Sequence, residues 1–94
     1  MQKPGYEDLQ ETTLRGPRGS SATIKVGEEF GWINPELEYG TVKAALKRMI
    51  KNYGHGPFVL KKITRVPAGY IMFTFDDQHG DEQRITRDYF TAWE

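Results

Sequence analysis

Apolar residues recur at helical spacing between residues 41 and 53, which is the clearest pattern in the chain. The basic residues of this stretch fall largely on the opposite side of the predicted helix. Residues 34–36, Asn-Pro-Glu, are a typical helix start and predict a short helical turn that ends at Gly40. Thr41 is expected to cap the main helix, and Gly54 is expected to end it. The apolar stripe consists of Val42, Ala45, Leu46, Met49, Ile50 and Tyr53.

The last third of the chain alternates apolar and polar residues, as strands with one buried face do. Ile71, Phe73 and Phe75 fall on one face of its central run. A Pro-Ala-Gly sequence at 67–69 predicts a tight turn, and a polar connection follows at 76–81. The predicted elements are strands at 58–66, 70–75 and 82–86, a helical turn at 87–90 and a short closing strand at 91–93.

The pattern is weaker ahead of the helix. Ile24 and Val26 alternate with polar neighbours, which predicts a strand, and an extended apolar cluster follows at 30–33. Residues 1–21 contain few apolar residues and many of Gly, Pro and Ser, so we expect a flexible N-terminal tail. A single domain is expected over residues 22–94.

These elements predict an α+β fold, namely a small, partly open antiparallel β-barrel or meander with one inserted α-helix at about 41–53. The 94 residues suit one small domain, and an aromatic content of 13% makes a compact core feasible. The expected core consists of Ile24, Val26, Phe30, Leu46, Met49, Ile50, Val59, Ile63, Ile71, Phe73, Phe75, Ile85 and Phe90.

The composition narrows the class of protein. The chain has no cysteine, which excludes disulfides and zinc–thiolate sites and fits a reducing compartment. No apolar run approaches the roughly 20 residues that span a membrane. Residues 1–5 lack the apolar core of a signal peptide. A cytoplasmic protein without membrane contact is therefore expected.

Charge is unevenly distributed along the chain, although the formal net charge is zero. Residues 41–75 contain no Asp or Glu, whereas both flanks have more acidic than basic residues. A basic face formed by the helix at 41–53 and the strand at 58–66 would attract a polyanion through counterion release, and nucleic acid is the first partner expected. The expected nucleic-acid-binding residues are Lys43, Lys47, Arg48, Lys51, Lys61, Lys62 and Arg65.

Two other interpretations of the basic block stay open. Lysines four residues apart are also typical of any solvent-facing helix, and the acidic flanks could fold over the block and neutralise it. A charge-segregated domain could equally bind a protein, as an adaptor, complex subunit or small inhibitor, or pair with a second copy along a free strand edge. Trp32, Tyr39 and Trp93 would be its candidate aromatic anchors.

Catalytic and metal-binding patterns are not found in the sequence. Gly54-His55-Gly56 lacks the third glycine of a dinucleotide loop, and the acidic run at 76–82 does not fit a calcium loop. The only serines, Ser20 and Ser21, lie in the expected tail, so a Ser-His-acid triad is not expected. We therefore expect a non-enzymatic protein without a cofactor, a metal or a small-molecule substrate.

Four segments carry a resemblance to a known superfamily. A Val-Gly-acid-apolar sequence lies at 26–30, a Gly-Pro-apolar run at 56–60, a hairpin strand at 70–77 and a helical turn within 85–90. In this order they resemble the SH3-like small β-barrels, over about residues 22–94. That superfamily includes nucleic-acid binders, adaptors and subunits of larger complexes, so the resemblance implies a fold without selecting a partner. The aromatic and proline-pocket pattern of peptide-binding SH3 domains is not found, so recognition of proline motifs is not implied.

Overall fold

The computed structural model describes residues 5–16 and 20–92. They contain one α-helix, α1 (Gly40–Tyr53), and two short 3₁₀ helices, at Pro35–Leu37 and Arg87–Tyr89. This mixed composition, with one helix and mostly strands, confirms the α+β class. The strands are β1 (Glu7–Leu9), β2 (Glu11–Arg15), β3 (Ser21–Lys25), β4 (Glu29–Trp32), β5 (Phe58–Val59), β6 (Lys62–Arg65), β7 (Ile71–Asp76), β8 (Glu82–Thr86) and β9 (Phe90–Ala92).

The strands form two sheets. Sheet A has the order β1-β6-β7-β8 and is antiparallel throughout. Its last three strands form a meander as predicted, but the single strand predicted at 58–66 is divided into β5 in sheet B and β6 in sheet A. The tight turn at 67–69 joins β6 to β7, with the Val66 N–H donating to Tyr70 O at 3.0 Å. Sheet B has the order β3-β2-β9-β4-β5, in which β2 and β9 run parallel and the other pairs are antiparallel.

Three stretches of chain pass from one sheet to the other. β1 leads into β2 through Gln10, and β5 leads into β6 through residues 60 and 61. β8 leads into β9 through the second 3₁₀ helix. The strand pairing does not close the two sheets into a barrel.

The core lies where the two sheets face each other, and it is built largely from aromatic rings. Phe30 of sheet B is fully buried, and its ring centroid lies 5.2 Å from that of Phe73 and 5.4 Å from that of Phe75 in sheet A. Both contacts are edge-to-face, the arrangement that the ring quadrupole favours. The buried apolar residues are Leu14, Ile24, Phe30, Trp32, Ile33, Leu46, Phe58, Leu60, Ile63, Ile71, Phe73, Phe75 and Phe90.

Helix α1 is fixed to this core mainly near its C-terminus. Leu46 is fully buried, and the Trp32 ring stacks on Tyr53 with their centroids 6.4 Å apart. The Trp32 indole N–H donates to Gly54 O at 2.7 Å, so a carbonyl at the helix end has a buried partner. Among the described residues, no helix has both the length and the apolar character needed to cross a membrane.

The predicted helix ends are partly confirmed. Asn34 caps the first 3₁₀ helix by accepting a hydrogen bond from the Glu36 N–H at 3.0 Å, and Gly54 ends α1 with a φ of 103°. The prediction that Thr41 caps α1 is wrong, because the helix already begins at Gly40, whose φ is +60°. Tyr39 is the N-cap and makes no side-chain capping bond. The glycine thus starts the helix, where the sequence pattern suggested that it ends the preceding turn.

Residues 7–15 differ from the predicted flexible tail. β1 forms an edge of sheet A, and β2 lies inside sheet B between β3 and β9. Leu14 is only 5% exposed and belongs to the core. Backbone pairing with strands far along the chain orders this segment, and a local apolar pattern does not report such pairing. The parts of the expected tail at 1–4 and 17–19 lie outside the described residues.

Two expected core residues are exposed, and a β-bulge explains one of them. Val59 is 53% exposed, whereas its neighbours Phe58 and Leu60 are buried. Two residues, Lys61 and Lys62, oppose the single Thr74, because the Lys61 N–H donates to Thr74 O at 2.8 Å while Lys62 pairs with Thr74. The extra residue shifts the alternation by one position, so Ile63 is buried and Val59 is not.

Val26, the other exposed member of the expected core, is 38% exposed. It lies in the turn between β3 and β4. Met49, Ile50 and Ile85 are partly buried and pack against the core.

Candidate anion-binding surface

The Lys61 side chain contacts two carboxylates of sheet A. Its Nζ is 3.2 Å from Asp76 Oδ1 and 3.0 Å from Glu82 Oε2. Asp76 and Glu82 are directly opposite each other on β7 and β8. The hydrogen bond to Glu82, followed by that to Asp76, raises the pKa of Lys61 above its ordinary value. This lysine is therefore charged, but two carboxylates already surround it.

The two expected basic residues of β6 also have carboxylate partners. Lys62 Nζ lies 3.6 Å from Asp8 Oδ2, and Arg65 Nη1 lies 3.6 Å from Glu7 Oε2. Both acids belong to β1, the strand that the sequence pattern did not predict. The acidic flank thus folds against this part of the basic block, as one of the open interpretations proposed.

The bases of α1 divide into a paired and an unpaired set. Lys43 Nζ lies 3.3 Å from Glu36 Oε2, and Lys47 Nζ lies 3.8 Å from Glu36 Oε1. Arg48 and Lys51 are exposed, and their side chains make no hydrogen bond or ion pair with the described part of the chain. The last two turns of α1 therefore carry positive charge that no carboxylate of the described chain offsets.

The two halves of the basic block occupy different places in the fold. β6 lies between β1 and β7 in sheet A, whereas the backbone contacts of α1 are mainly with the first 3₁₀ helix. No hydrogen bond or ion pair joins α1 to β6 within residues 5–16 and 20–92. The seven expected residues are thus two separate groups rather than one continuous contact network.

Exposed apolar side chains gather at the start of α1. Tyr39 is 88% exposed, Leu37 is 70% exposed and Val42 is 40% exposed. Of the other candidate aromatic anchors, Trp32 is 8% exposed and serves the core, and Trp93 lies outside the described residues. Of the three candidate anchors, Tyr39 is therefore the one whose side chain is seen in solvent, and it directly precedes α1.

The acidic loop between β7 and β8 is organised around Asp77. This residue is 8% exposed, and its Oδ1 accepts hydrogen bonds from the His79 N–H at 2.8 Å and the Asp81 N–H at 3.0 Å. Its Oδ2 accepts from Gln83 Nε2 at 3.0 Å. Burial alone would raise the pKa of Asp77, but these hydrogen bonds together lower it. The Asp77 carboxylate therefore stabilises the loop through these hydrogen bonds. No group of three or more potential metal ligands occurs among the described residues.

A pocket of about 430 Å³ opens beside β2, β3 and the second 3₁₀ helix, away from the bases of α1. Its two arginines already bind protein groups. Arg15 Nη1 lies 2.7 Å from Glu38 Oε1, while Arg87 Nη1 donates to Thr12 Oγ1 and to Thr13 O, each at 3.0 Å. These contacts hold the 3₁₀ helix and the loop before α1 against β2.

Fold and surface together define a small α+β domain with an acid-free helix whose C-terminal half carries unpaired bases. No protein-family model, no curated protein and no solved structure matches this chain.

Proposed function

We propose that this chain is a non-enzymatic binding module that holds a polyanion, with nucleic acid as the first candidate, on the solvent face of α1. The observation that carries the proposal is that Arg48 and Lys51 are exposed and have no acidic partner among the described residues. Phosphates approaching these side chains displace only water and small ions, and release of the ions condensed on nucleic acid favours binding.

The helix supplies a suitable arrangement of charge. α1 contains no Asp or Glu from its first to its last residue. Lys47 and Lys51 lie one turn apart, and Arg48 lies beside them on the same exposed side. Lys43 extends the line by one more turn, so the charged positions cover about 12 Å along the helix axis.

The bases of sheet A have a smaller role in this proposal than the sequence indicated. A phosphate that binds Lys61, Lys62 or Arg65 must compete with carboxylates that are already within 3.6 Å of them. The gain from such an exchange is small, because one exposed ion pair replaces another.

We also propose that the domain is a divergent relative of the SH3-like small β-barrels. The meander of β6, β7 and β8 supports this, and so does the 3₁₀ turn that leads from β8 into a last short strand. That strand, β9, pairs with β4, which begins in the Val-Gly-acid-apolar segment of the resemblance. The inserted α1 and the strands β1 and β2 are departures from the usual pattern of the superfamily.

A protein partner is the second candidate, and the exposed apolar group formed by Leu37, Tyr39 and Val42 favours it. Apolar side chains beside positive charge suit an acidic protein segment with apolar anchors. The two candidates differ in one simple respect. Only the first requires that oligonucleotides bind at physiological salt.

The double variant Arg48→Gln/Lys51→Gln tests the proposed site. We expect weaker binding of a labelled mixed-sequence oligonucleotide, and a plot of log affinity against log salt that is shallower by about one to two, because two phosphate contacts are lost. Fluorescence anisotropy at several salt concentrations measures both quantities. The matched control is Lys25→Gln/Arg84→Gln, which removes the same charge from exposed positions of the two sheets and should leave the salt slope nearly unchanged.

Equal losses in the two double variants would show that general charge attraction, rather than α1, accounts for the binding. Absence of oligonucleotide binding by the wild-type chain at physiological salt would reject nucleic acid as the partner and leave the protein candidate.

The variant Glu36→Gln should strengthen nucleic-acid binding. Glu36 is the carboxylate that approaches both Lys43 and Lys47, so its removal leaves two more lysines for phosphate. Exposed ion pairs of this kind contribute about 0.2–1 kcal/mol, so an affinity gain of about two- to fivefold is expected. Glu82→Gln is the control, since it makes the same change of charge beside Lys61 on sheet A. The assignment to α1 fails if Glu82→Gln increases the affinity as much as Glu36→Gln does.

A further inference from the structure

Tyr39 has an unusual environment for an aromatic residue in so small a protein. Its side chain is 88% exposed, and it makes no ring contact or side-chain hydrogen bond with the rest of the described chain. Its backbone is nevertheless held at the N-cap of α1, with a φ of −130°, and its carbonyl accepts from the Lys43 N–H at 3.5 Å. A large apolar ring is thus presented to solvent from an ordered position.

Tyr39 lies at a regular spacing in the sequence from the lysines of α1. Tyr39 precedes Lys43 by four residues, and Lys47 and Lys51 follow at the same interval. The two intervals between the lysines each correspond to about 6 Å along α1, and the bond from the Lys43 N–H to the Tyr39 carbonyl ties Tyr39 to the first turn. An exposed aromatic residue therefore directly precedes the helix that carries this line of lysines.

An exposed aromatic ring together with positive side chains suits the unpaired nucleobases of a single strand more than a duplex. In a single strand the faces of the bases are accessible and can stack on an aromatic ring, while the phosphates follow neighbouring positive side chains. In a duplex each base face is already covered by the next base pair, so Tyr39 would gain no stacking partner there. The lysines would bind the phosphates of either form of nucleic acid. Only Tyr39 would favour the single strand over the duplex.

We propose that α1 binds single-stranded nucleic acid, with Tyr39 as the stacking platform for a base and Lys43, Lys47 and Lys51 along the phosphate backbone. This inference rests on the proposed function and adds the structural form of the ligand to it. Stacking has little dependence on base identity, so the module should tolerate many sequences.

The test compares a fluorescein-labelled mixed-sequence single strand of about 12 nucleotides with the duplex of the same sequence, by anisotropy at physiological salt. The wild-type chain should bind the single strand more tightly than the duplex. Tyr39→Ala should lower the affinity for the single strand by about tenfold, since the stacking of one base is lost, and should leave duplex binding unchanged. Tyr39→Phe should retain the single-strand affinity, because the ring persists.

Tyr70→Ala is the matched control, since Tyr70 is another exposed tyrosine, 60% exposed, at the turn between β6 and β7. It should bind the single strand as the wild type does. Equal affinity for single strand and duplex, unchanged in Tyr39→Ala, would overturn this inference and leave the polyanion site of α1 standing. Failure of the wild type to bind either form would overturn both proposals, and would favour Tyr39 as an anchor for a protein partner.

Discussion

Replacing Phe30 with alanine should lower the free energy of unfolding by about 3–5 kcal/mol. Phe30 is fully buried, and its ring centroid lies between 4.7 and 5.9 Å from those of four other phenylalanines: Phe58, Phe73, Phe75 and Phe90. These partners belong to both sheets, so the cavity left by the ring lies at the contact between them. Urea unfolding followed by far-UV circular dichroism measures the loss.

This loss is large for a domain of 94 residues, because small domains are stabilised by only about 5–15 kcal/mol in total. Val59→Ala is the control, since Val59 is an apolar strand residue of sheet B that is 53% exposed. Its truncation should change the free energy of unfolding by no more than about 0.5 kcal/mol. Similar losses in the two variants would contradict the described core and the bulge that turns Val59 outward.

Replacing Leu14 with alanine should lower the free energy of unfolding by about 2–5 kcal/mol. Leu14 is 5% exposed and lies on β2, inside sheet B, between β3 and β9. A segment without fixed structure could lose this side chain at almost no expense in stability. The measurement therefore decides between the ordered strand and the flexible tail that the sequence pattern suggested.

Thr13→Ala is the control for this second variant. Thr13 is the preceding residue of the same strand and is exposed, so the substitution keeps the backbone pairing and removes only surface atoms. A loss of about 0.5 kcal/mol or less is expected there. If Leu14→Ala were equally mild, β2 would not contribute to the core in solution.

The elements that could be predicted from the sequence are those with a local cause. α1 has a continuous apolar stripe and ends at Gly54, and the strands β7 and β8 have regular alternation and turn residues between them. β1 and β2 lack such a pattern, because Leu9 and Leu14 are their only large apolar residues. Their order comes from partners more than 50 positions along the chain or across a hairpin, and composition does not record these partners.

The same limit applies to the candidate surface. The sequence shows that residues 41–75 contain no acid, but it does not show which acids approach from outside that block. Glu36, at the first 3₁₀ helix, reaches two lysines of α1, and Asp8 reaches Lys62 only because β1 pairs with β6. Of the seven residues expected to bind nucleic acid, only Arg48 and Lys51 lack such a neighbour within the described chain, which is a property of the fold.

The parallel pairing of β2 with β9 has a consequence for folding during translation. Arg15 meets Thr91, 76 residues later in the chain, and β9 lies between β2 and β4 in sheet B. A ribosome adds about 5–20 residues per second. The edges of β2 and β4 that pair with β9 therefore stay unpaired for several seconds, until β9 has been synthesised. Sheet B can therefore be completed only after residues 90–92 have been translated. A nascent chain that stops short of them is open to association with its neighbours on the same messenger RNA.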